Sequence, residues 1–242
     1  AARPVAGCHR TSNQGTWIRG KNVTKPIVVI NPNSTEAVTE AMSAALDPLR
    51  LPGGPEIECL TNADGPPGIE SQADVDLAAV QTREIVARRA NSASAFVIAC
   101  YSDPGIHACR EATDSPVYGI AESGVLCAMS TVERFGVVAI LEKSIPRHMR
   151  YIRTLGFESR LAGERPLGLG VVELSNESVT YGRLLETGKQ LRDIDGAQAI
   201  VLGCAGMARY RATLEDDLGV PVIDPTQAAV SNALTISLLK SP

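Results

Sequence analysis

From residue 26 onward, short apolar runs alternate with stretches whose apolar residues recur at helical spacing. Pro26-Ile-Val-Val-Ile30 is a β-branched run typical of a buried strand, and residues 36–49 after it have the period of an amphipathic helix. The alternation continues through residues 74–89, which we interpret as a second amphipathic helix. Strands that alternate with helices predict an α/β fold with mainly parallel sheets.

Two of the apolar runs end at a cysteine. Ala95-Phe-Val-Ile-Ala-Cys100 and Ala199-Ile-Val-Leu-Gly-Cys204 have the same design, and their cysteines lie 104 residues apart. Pro116 and Pro221, each inside a short strand-like run, lie 105 residues apart. Near-constant offsets of this kind indicate that the chain consists of two similar halves.

These halves predict two pseudo-symmetric α/β domains, each a mainly parallel sheet flanked by helices, with the active site in the cleft between them. We assign residues 25–120 to the first domain and residues 121–224 to the second. No strand of the second half remains for the last helix, residues 226–239, to connect. We therefore expect residues 225–242 to return to the first domain. Residues 1–24 have neither the helical nor the strand period and are rich in turn formers, which indicates a flexible N-terminal extension.

Two local patterns lead to further expectations. Asp103 followed by Pro104 predicts the N-cap and the first position of a helix that runs to about Ala112. The apolar residues of Val171-Val-Glu-Leu174 predict a strand. Arg147, His148 and Arg150 form a basic cluster on a predicted helix, which we interpret as a solvated face with an anion contact as the alternative.

Composition narrows the classes of partner. The 242 residues are 44% hydrophobic and 21% charged with a formal net charge of −4, so no nucleic-acid partner is expected. No apolar run approaches the roughly 18 residues that span a bilayer, so no membrane partner is expected either. Six cysteines without framework spacing, and no evident secretory segment, predict free thiols and a cytoplasmic location.

Cys100 and Cys204 are the candidates for chemistry. Paired α/β domains bind ligands at the carboxyl ends of their strands, where both cysteines are expected. There, backbone N–H groups and a helix dipole would lower the pKa of each thiol. One thiolate could then remove a proton from a carbon acid while the other thiol returns one to the opposite face. Amides around Tyr101-Ser102 and Ala205-Gly206, with nearby Ser and Thr hydroxyls, would hold the enolate oxygen.

Four segments together resemble the hydantoin racemase branch of the aspartate/glutamate racemase superfamily, over residues 25 to about 240. They are Asn31-Pro-Asn-Ser-Thr35, Ala99-Cys-Tyr-Ser-Asp-Pro-Gly105, Gly119-Ile-Ala-Glu122 and Gly203-Cys-Ala-Gly-Met207. The resemblance implies a site without cofactor or metal between two pseudo-symmetric domains. It also implies that Cys100 and Cys204 are the acid/base pair and that Asn31, Ser34 and the Glu122-Ser123 region line the substrate pocket.

Departures from related patterns favour one activity. Glutamate racemases resemble this design but have Asp-Ser-Gly after the first strand and Thr-His after the second cysteine, where this sequence has Asn-Pro-Asn-Ser and Ala-Gly. The charged helpers for an α-ammonium substrate are therefore missing, which favours a neutral ring such as a 5-substituted hydantoin or allantoin. Arylmalonate decarboxylases keep only the second cysteine, so the presence of both favours racemisation. The predicted partner is a small-molecule substrate, and the predicted assembly is a homo-oligomer.

Other functions stay open at this point. A maleate-type cis–trans isomerase would use one thiolate as a nucleophile, and an aspartate or glutamate racemase would use the same pair of cysteines. A two-lobed binding protein would hold a small ligand in the cleft without turnover. A thiol-redox protein would normally carry a Cys-x-x-Cys pair, which this sequence lacks.

Overall fold

The structure, a computed structural model, describes residues 25–239. Two four-stranded sheets lie at its centre, and every pair of neighbouring strands in them is parallel. Most strand residues are fully buried, as expected for parallel sheets that helices cover on both faces. The predicted extension, residues 1–24, lies outside the described residues.

The two sheets have the same topology. In each half, the second strand of the sequence lies at one edge, followed by the first, the third and the fourth. The repeat inferred from the cysteine spacing is therefore confirmed, and so is the α/β class. The first sheet contains β1 (Ile27–Asn31), β2 (Ile57–Thr61), β3 (Ala95–Ile98) and β4 (Val117–Gly119), and the second contains β5 (Phe135–Ala139), β6 (Leu161–Pro166), β7 (Ala199–Leu202) and β8 (Val222–Ile223).

Eight α-helices connect and cover the described strands. No helix in residues 25–239 is both long enough and apolar enough to span a bilayer. The helices are α1 (Glu36–Ala45), α2 (Gln72–Arg89), α3 (Ile106–Glu111), α4 (Ile120–Thr131), α5 (Ile145–Thr154), α6 (Glu177–Asp193), α7 (Arg211–Leu218) and α8 (Pro225–Leu239).

Helix α8 returns to the first sheet, as its sequence position predicted. Its buried residues, Ala229, Val230 and Ala233 among them, share one apolar cluster with strands β1 and β3. The side chain of Gln227 also donates a hydrogen bond to the Ala45 carbonyl at the end of α1, at 2.7 Å. The domain boundaries proposed from the sequence stay a prediction.

The prediction that Asp103 caps its own helix is wrong. Helix α3 begins only at Ile106, and Asp103 has φ 42° in the left-handed region. Its buried carboxylate instead accepts hydrogen bonds from the Ala121 and Glu122 amides in the first turn of α4, both at 2.9 Å. The carboxylate therefore caps a different helix, and burial raises the pKa of Asp103 to about 7 although these hydrogen bonds favour its charged form.

The prediction of a strand at Val171–Leu174 is also wrong. This segment leads into a 3₁₀ turn, Val172–Ser175, and the sixth strand is Leu161–Pro166. That strand escaped prediction because it lies at the sheet edge, is only half-buried and contains the polar sequence Gly-Glu-Arg. Neither an apolar run nor a clean alternation marks it.

Gly119 provides a direct test of the Asp103 contact. An added Cβ at Gly119 would overlap the Asp103 carboxylate. We therefore expect Gly119→Ala to lower the free energy of unfolding by about 1–3 kcal/mol in urea denaturation, as overpacking does. Gly182→Ala is the control, because no atom lies near that helical position, and it should be neutral or stabilise by about 0.5–1 kcal/mol. Equal stability of the Gly119→Ala variant and the unsubstituted protein would contradict this account.

Candidate active site

A small cavity lies where the carboxyl ends of the two sheets meet. The segments that follow β1, β3, β5 and β7 provide most of its wall, so each half contributes its first and third strand. Asn33 and Val38 follow β1, and Ile140 and Ser144 follow β5. The cavity is small, with a volume of about 30 Å³.

Cys100 and Cys204 both line this cavity. They follow the equivalent strands β3 and β7, and each thiol accepts a hydrogen bond from the backbone N–H two residues later, Ser102 for Cys100 and Gly206 for Cys204. Gly203, directly before Cys204, lets the chain pass close to β5, since an added Cβ at Gly203 would overlap the Val138 carbonyl. The repeated fold therefore brings two equivalent thiols to one site.

The expectation of thiols with lowered pKa values is wrong. Burial raises the pKa of Cys100 to about 12 and that of Cys204 to about 11. The backbone N–H groups act in the predicted direction, but the loss of solvent around each sulfur outweighs them. A negative charge on Cys204 raises the pKa of Cys100 further, so ionisation of one thiol disfavours ionisation of the other. Both cysteines rest as thiols at neutral pH.

Arg147 is the cation beside Cys100. Its Nε donates a hydrogen bond to the Ser102 hydroxyl at 3.1 Å, and the guanidinium charge lowers the pKa of Cys100, in opposition to burial. The solvated face predicted for the basic cluster on α5 is therefore only partly present. Arg150 is exposed, but Arg147 lines the cavity and His148 is buried against Glu164.

The two halves also meet over the cavity. Ile69 from the first half and Val171 from the second both line it. Glu70 accepts a hydrogen bond from the Val171 amide at 3.1 Å and pairs with Lys143 at 3.5 Å. These contacts hold the segment after β6 against the segment before α2.

Three predicted binding residues line the cavity, namely Tyr101, Ser102 and Ala205. Gly206 lines an adjoining groove with Thr35 and Val38, and its amide is the hydrogen-bond donor to Cys204. An added Cβ at Gly206 would contact Cys204 Sγ at 3.7 Å and Leu174 at 3.1 Å. Gly206 therefore acts on the cysteine through its backbone.

Four other predicted binding residues lie outside the cavity wall. Asn31 is buried and organises the turn after β1, since its Nδ2 donates hydrogen bonds to Asn33 Oδ1 and Thr39 Oγ1. Ser34 lies in the same turn, and its amide donates to the Pro66 carbonyl at 3.0 Å. Glu122 pairs with Arg110 at 2.7 Å, and Ser123 is buried within α4. The residue that this turn presents to the cavity is Asn33, which was not predicted and lies two positions after Asn31.

Asp224 has a structural role at the start of α8. Its Oδ1 accepts a hydrogen bond from the Gln227 amide at 2.7 Å at the start of α8, and burial raises the pKa of Asp224 to about 6. Its charge also raises the pKa of Cys204.

Sequence reasoning did not assign several residues of the cavity wall to the site, although it left an anion contact open for Arg147 and His148. Asn33, Ser144, Arg147 and His148 line the cavity, and Glu164 contacts His148 from strand β6. The internal repeat was the available signal, because it makes the segment after β5 equivalent to the Asn31–Thr35 turn after β1. Glu164 had no such signal, since β6 itself was not predicted.

Comparison with known proteins places the chain in a family. The family model described as Asp/Glu/Hydantoin racemase matches residues 27–233. The chain belongs to this racemase family.

Relatives of this racemase-family chain cover most of its length. It is 39% identical to the hydantoin racemase of Paenarthrobacter aurescens over 207 residues, which are 84% of this chain and 87% of the relative. It is 39% identical to the hydantoin racemase of Pseudomonas sp. (strain NS671), over 87% of this chain and 85% of the relative. The structure superposes on allantoin racemase from Klebsiella pneumoniae with a TM-score of 0.85 and 34% identity, over 89% of each chain.

The raised thiol pKa values predict how the two cysteines react. We expect iodoacetamide to alkylate Cys100 and Cys204 slowly at pH 7.5 and about tenfold faster per pH unit up to about pH 9.5, because the thiolate stays a minor species over this range. Mass spectrometry of the two peptides measures each rate, and circular dichroism at each pH checks that the fold persists. A rate that levels off at or below pH 8 would show a lowered pKa and contradict this assignment.

Proposed function

We propose that this protein racemises 5-substituted hydantoins, allantoin included, by proton transfer between Cys100 and Cys204 without a cofactor. The observation that carries the proposal is the presence of two thiols from equivalent strands in one cavity. The hydantoin and allantoin racemases among its relatives support the substrate class. The chain would then be an isomerase with a small-molecule substrate.

The proposed reaction has two proton transfers. The thiolate of one cysteine takes the C5 proton, the C5–H electron pair moves toward the adjacent carbonyl, and an enolate forms. The thiol of the other cysteine then gives its proton to the opposite face of C5, which returns the carbonyl and inverts the stereocentre. The pair ends with its proton on the other sulfur, so that the reverse conversion starts from the product state.

The raised pKa values suit a carbon acid. A thiolate whose conjugate acid has a pKa near 11 is a stronger base than an ordinary cysteine thiolate, and it therefore transfers a carbon-bound proton less steeply uphill. The disadvantage is that the thiolate is scarce, because only about one molecule in a thousand carries the Cys204 thiolate at pH 8. Arg147 reduces this disadvantage at Cys100 by lowering its pKa.

Hydrogen-bond donors for the enolate oxygen lie beside the cysteines. The Ser102 hydroxyl and the Arg147 guanidinium are joined by a hydrogen bond and both line the cavity. Fixed donors at a site of developing negative charge stabilise the transition state more than water does. We assign the enolate oxygen to this pair.

Substrate entry requires the site to open. A hydantoin ring with its substituent is a bulky group for a cavity of about 30 Å³. The segments around Ile69 and Val171, which the hydrogen bond from the Val171 amide to Glu70 joins, are the ones that must separate.

The second candidate is racemisation of an acidic amino acid. The specific observation in its favour is the Arg147 guanidinium at the cavity wall, since guanidinium groups pair well with carboxylates. Aspartate and glutamate therefore belong in the substrate panel together with maleate. Turnover of one of these in place of hydantoins would transfer the assignment to that activity.

We test the main proposal with an optically pure 5-substituted hydantoin in D₂O, followed by polarimetry and by deuterium content at C5. We expect racemisation with deuterium uptake, and we expect Cys100→Ser and Cys204→Ser each to lower the racemisation rate by about 10²–10⁴, the contribution of a general acid or base. Cys127→Ser is the matched control because Cys127 lies on α4 outside the cavity, and it should keep the full rate. Racemisation that survives both substitutions in the cavity would rule out the two-thiol mechanism.

The assembly and location form a separate proposal. We infer a homo-oligomer, because α2 exposes Leu77 and Val80, two apolar side chains three residues apart on one helix, which a subunit contact would bury. We infer a cytoplasmic location, because the five cysteines among the described residues are free thiols. A monomer mass in light scattering would contradict the first inference, and a disulfide between these cysteines in the natural host would contradict the second.

A further inference from the structure

His148 and Glu164 form a buried ionisable pair that the proposed proton transfer does not use. His148 Nδ1 lies 2.5 Å from Glu164 Oε1, and their side chains are only 4% and 1% exposed. The pair joins α5 to the edge strand β6. Apolar residues of similar volume would fill such a position at equal or lower cost in stability, so folding alone does not account for the pair.

The pair borders the proposed active site. His148 lines the cavity, and its ring meets the Tyr101 ring edge-on with the centroids 5.2 Å apart. Tyr101 directly follows Cys100 in the sequence. Among the described residues, no hydrogen-bond partner contacts the other ring nitrogen of His148, Nε2.

Further polar atoms at this end of the site lack partners within the described chain. They are the Ser144 hydroxyl, the Tyr101 hydroxyl and Glu164 Oε2, all buried. Ser144 is the N-cap residue of α5, and His148 lies about one turn further along the chain in that helix. A buried polar atom without a partner is unfavourable, and a ligand with matching groups would remove that cost.

Part of the wall is apolar. Val38, Ile69, Ile140 and Val171 provide it, whereas Ser144, Arg147 and His148 concentrate the polar atoms near the start of α5. An apolar group placed against Ser144 and His148 would leave their polar atoms buried and unpaired. A group with both donors and acceptors would satisfy them.

The contact with Glu164 sets the role of His148. The Glu164 carboxylate engages Nδ1 and fixes the ring, so that Nε2 is the ring nitrogen left for a ligand, an acceptor in the neutral ring and a donor in the imidazolium. The Ser144 hydroxyl beside it can donate. Together they match a ureido group, whose N–H groups donate and whose carbonyl accepts.

We propose that the His148–Glu164 pair, with Ser144, is a specificity-determining site that selects hydantoins with a hydrogen-bonding 5-substituent, a ureido group above all. This inference rests on the proposed hydantoin racemase function. Arg147 and Ser102 serve the ring, and His148 and Ser144 serve the substituent.

The test compares allantoin with 5-isobutylhydantoin, whose substituents have the same number of non-hydrogen atoms and the same branching. We expect the unsubstituted protein to have a kcat/KM for allantoin at least about tenfold higher than for the isobutyl compound, because the apolar group leaves the polar atoms unpaired. We expect the double variant His148→Leu/Glu164→Leu to lose about 10- to 100-fold on allantoin and to stay within about threefold on the isobutyl compound. Both partners are removed together so that no unpaired charge remains buried.

Two further variants guard against indirect effects. Ser144→Ala removes one hydroxyl without disturbing the buried pair, and it should lower the allantoin rate alone by about 3- to 10-fold even if the double variant does not fold. Met149→Leu, a swap of similar volume on the same helix, should leave both rates within about twofold.

Equal losses on the two substrates in the double variant, or a preference of the unsubstituted protein for the isobutyl compound, would overturn the inference while leaving the racemase function intact. Calorimetric measurement of the binding of both compounds to the Cys204→Ser variant distinguishes a failure of the racemase function from a failure of the selectivity. Preferential binding of allantoin without any turnover by the unsubstituted protein would support the selectivity and contradict the racemase function. Absence of both binding and turnover for both compounds would overturn both proposals.

Discussion

The loss of solvent around Cys100 and Cys204 is the constraint on which the candidate site depends. Burial makes each thiol a weaker acid and its thiolate a stronger base, as a carbon acid requires. It also makes the thiolate scarce, so groups that stabilise it without admitting water become important. Ser102 and Gly206 contribute backbone N–H groups for this purpose, and Arg147 contributes a positive charge.

The internal repeat is what allows two such thiols to share one cavity. A single α/β half offers one set of strand ends, and therefore one thiol at the end of its third strand. Two halves with the same strand order, facing each other at those ends, supply a second thiol from an independent direction. The symmetry is incomplete at the neighbouring positions. The segment after β1 contributes Asn33, and the segment after β5 contributes Ser144 and leads to Arg147 and His148. These differences make the contributions of the two halves to the cavity wall unlike one another.

The sequence predicted those parts of the structure that local patterns determine. Buried β-branched runs and helical spacing predicted the alternating fold, and the matched runs before Cys100 and Cys204 predicted the repeat and the shared site. Strand β6 could not be predicted, because a polar edge strand depends on its partner β5 more than on its own residues. The same limit hid Glu164. Asp103 was assigned to the nearest helix, whereas tertiary packing brings its carboxylate to the start of α4.

Electrostatic properties were harder to predict than positions. The N–H groups near each sulfur are present, as the strand-to-turn pattern indicated, but their effect on the thiol pKa is smaller than that of burial. Burial at the centre of the site depends on contacts between the two halves, for example the hydrogen bond from the Val171 amide to Glu70, and no local pattern reports them. Local patterns also do not show which residues reach the cavity. Asn31 and Glu122 fit the family pattern but lie outside the cavity wall.

The central claim is that the two thiols act on opposite faces of one carbon. Hydrogen exchange at C5 of each pure enantiomer, in D₂O, with the Cys100→Ser and Cys204→Ser variants, measures this most directly. We predict that each variant exchanges one enantiomer without inverting it, and that the two variants exchange opposite enantiomers. Exchange of both enantiomers at equal rates by either variant would contradict the claim.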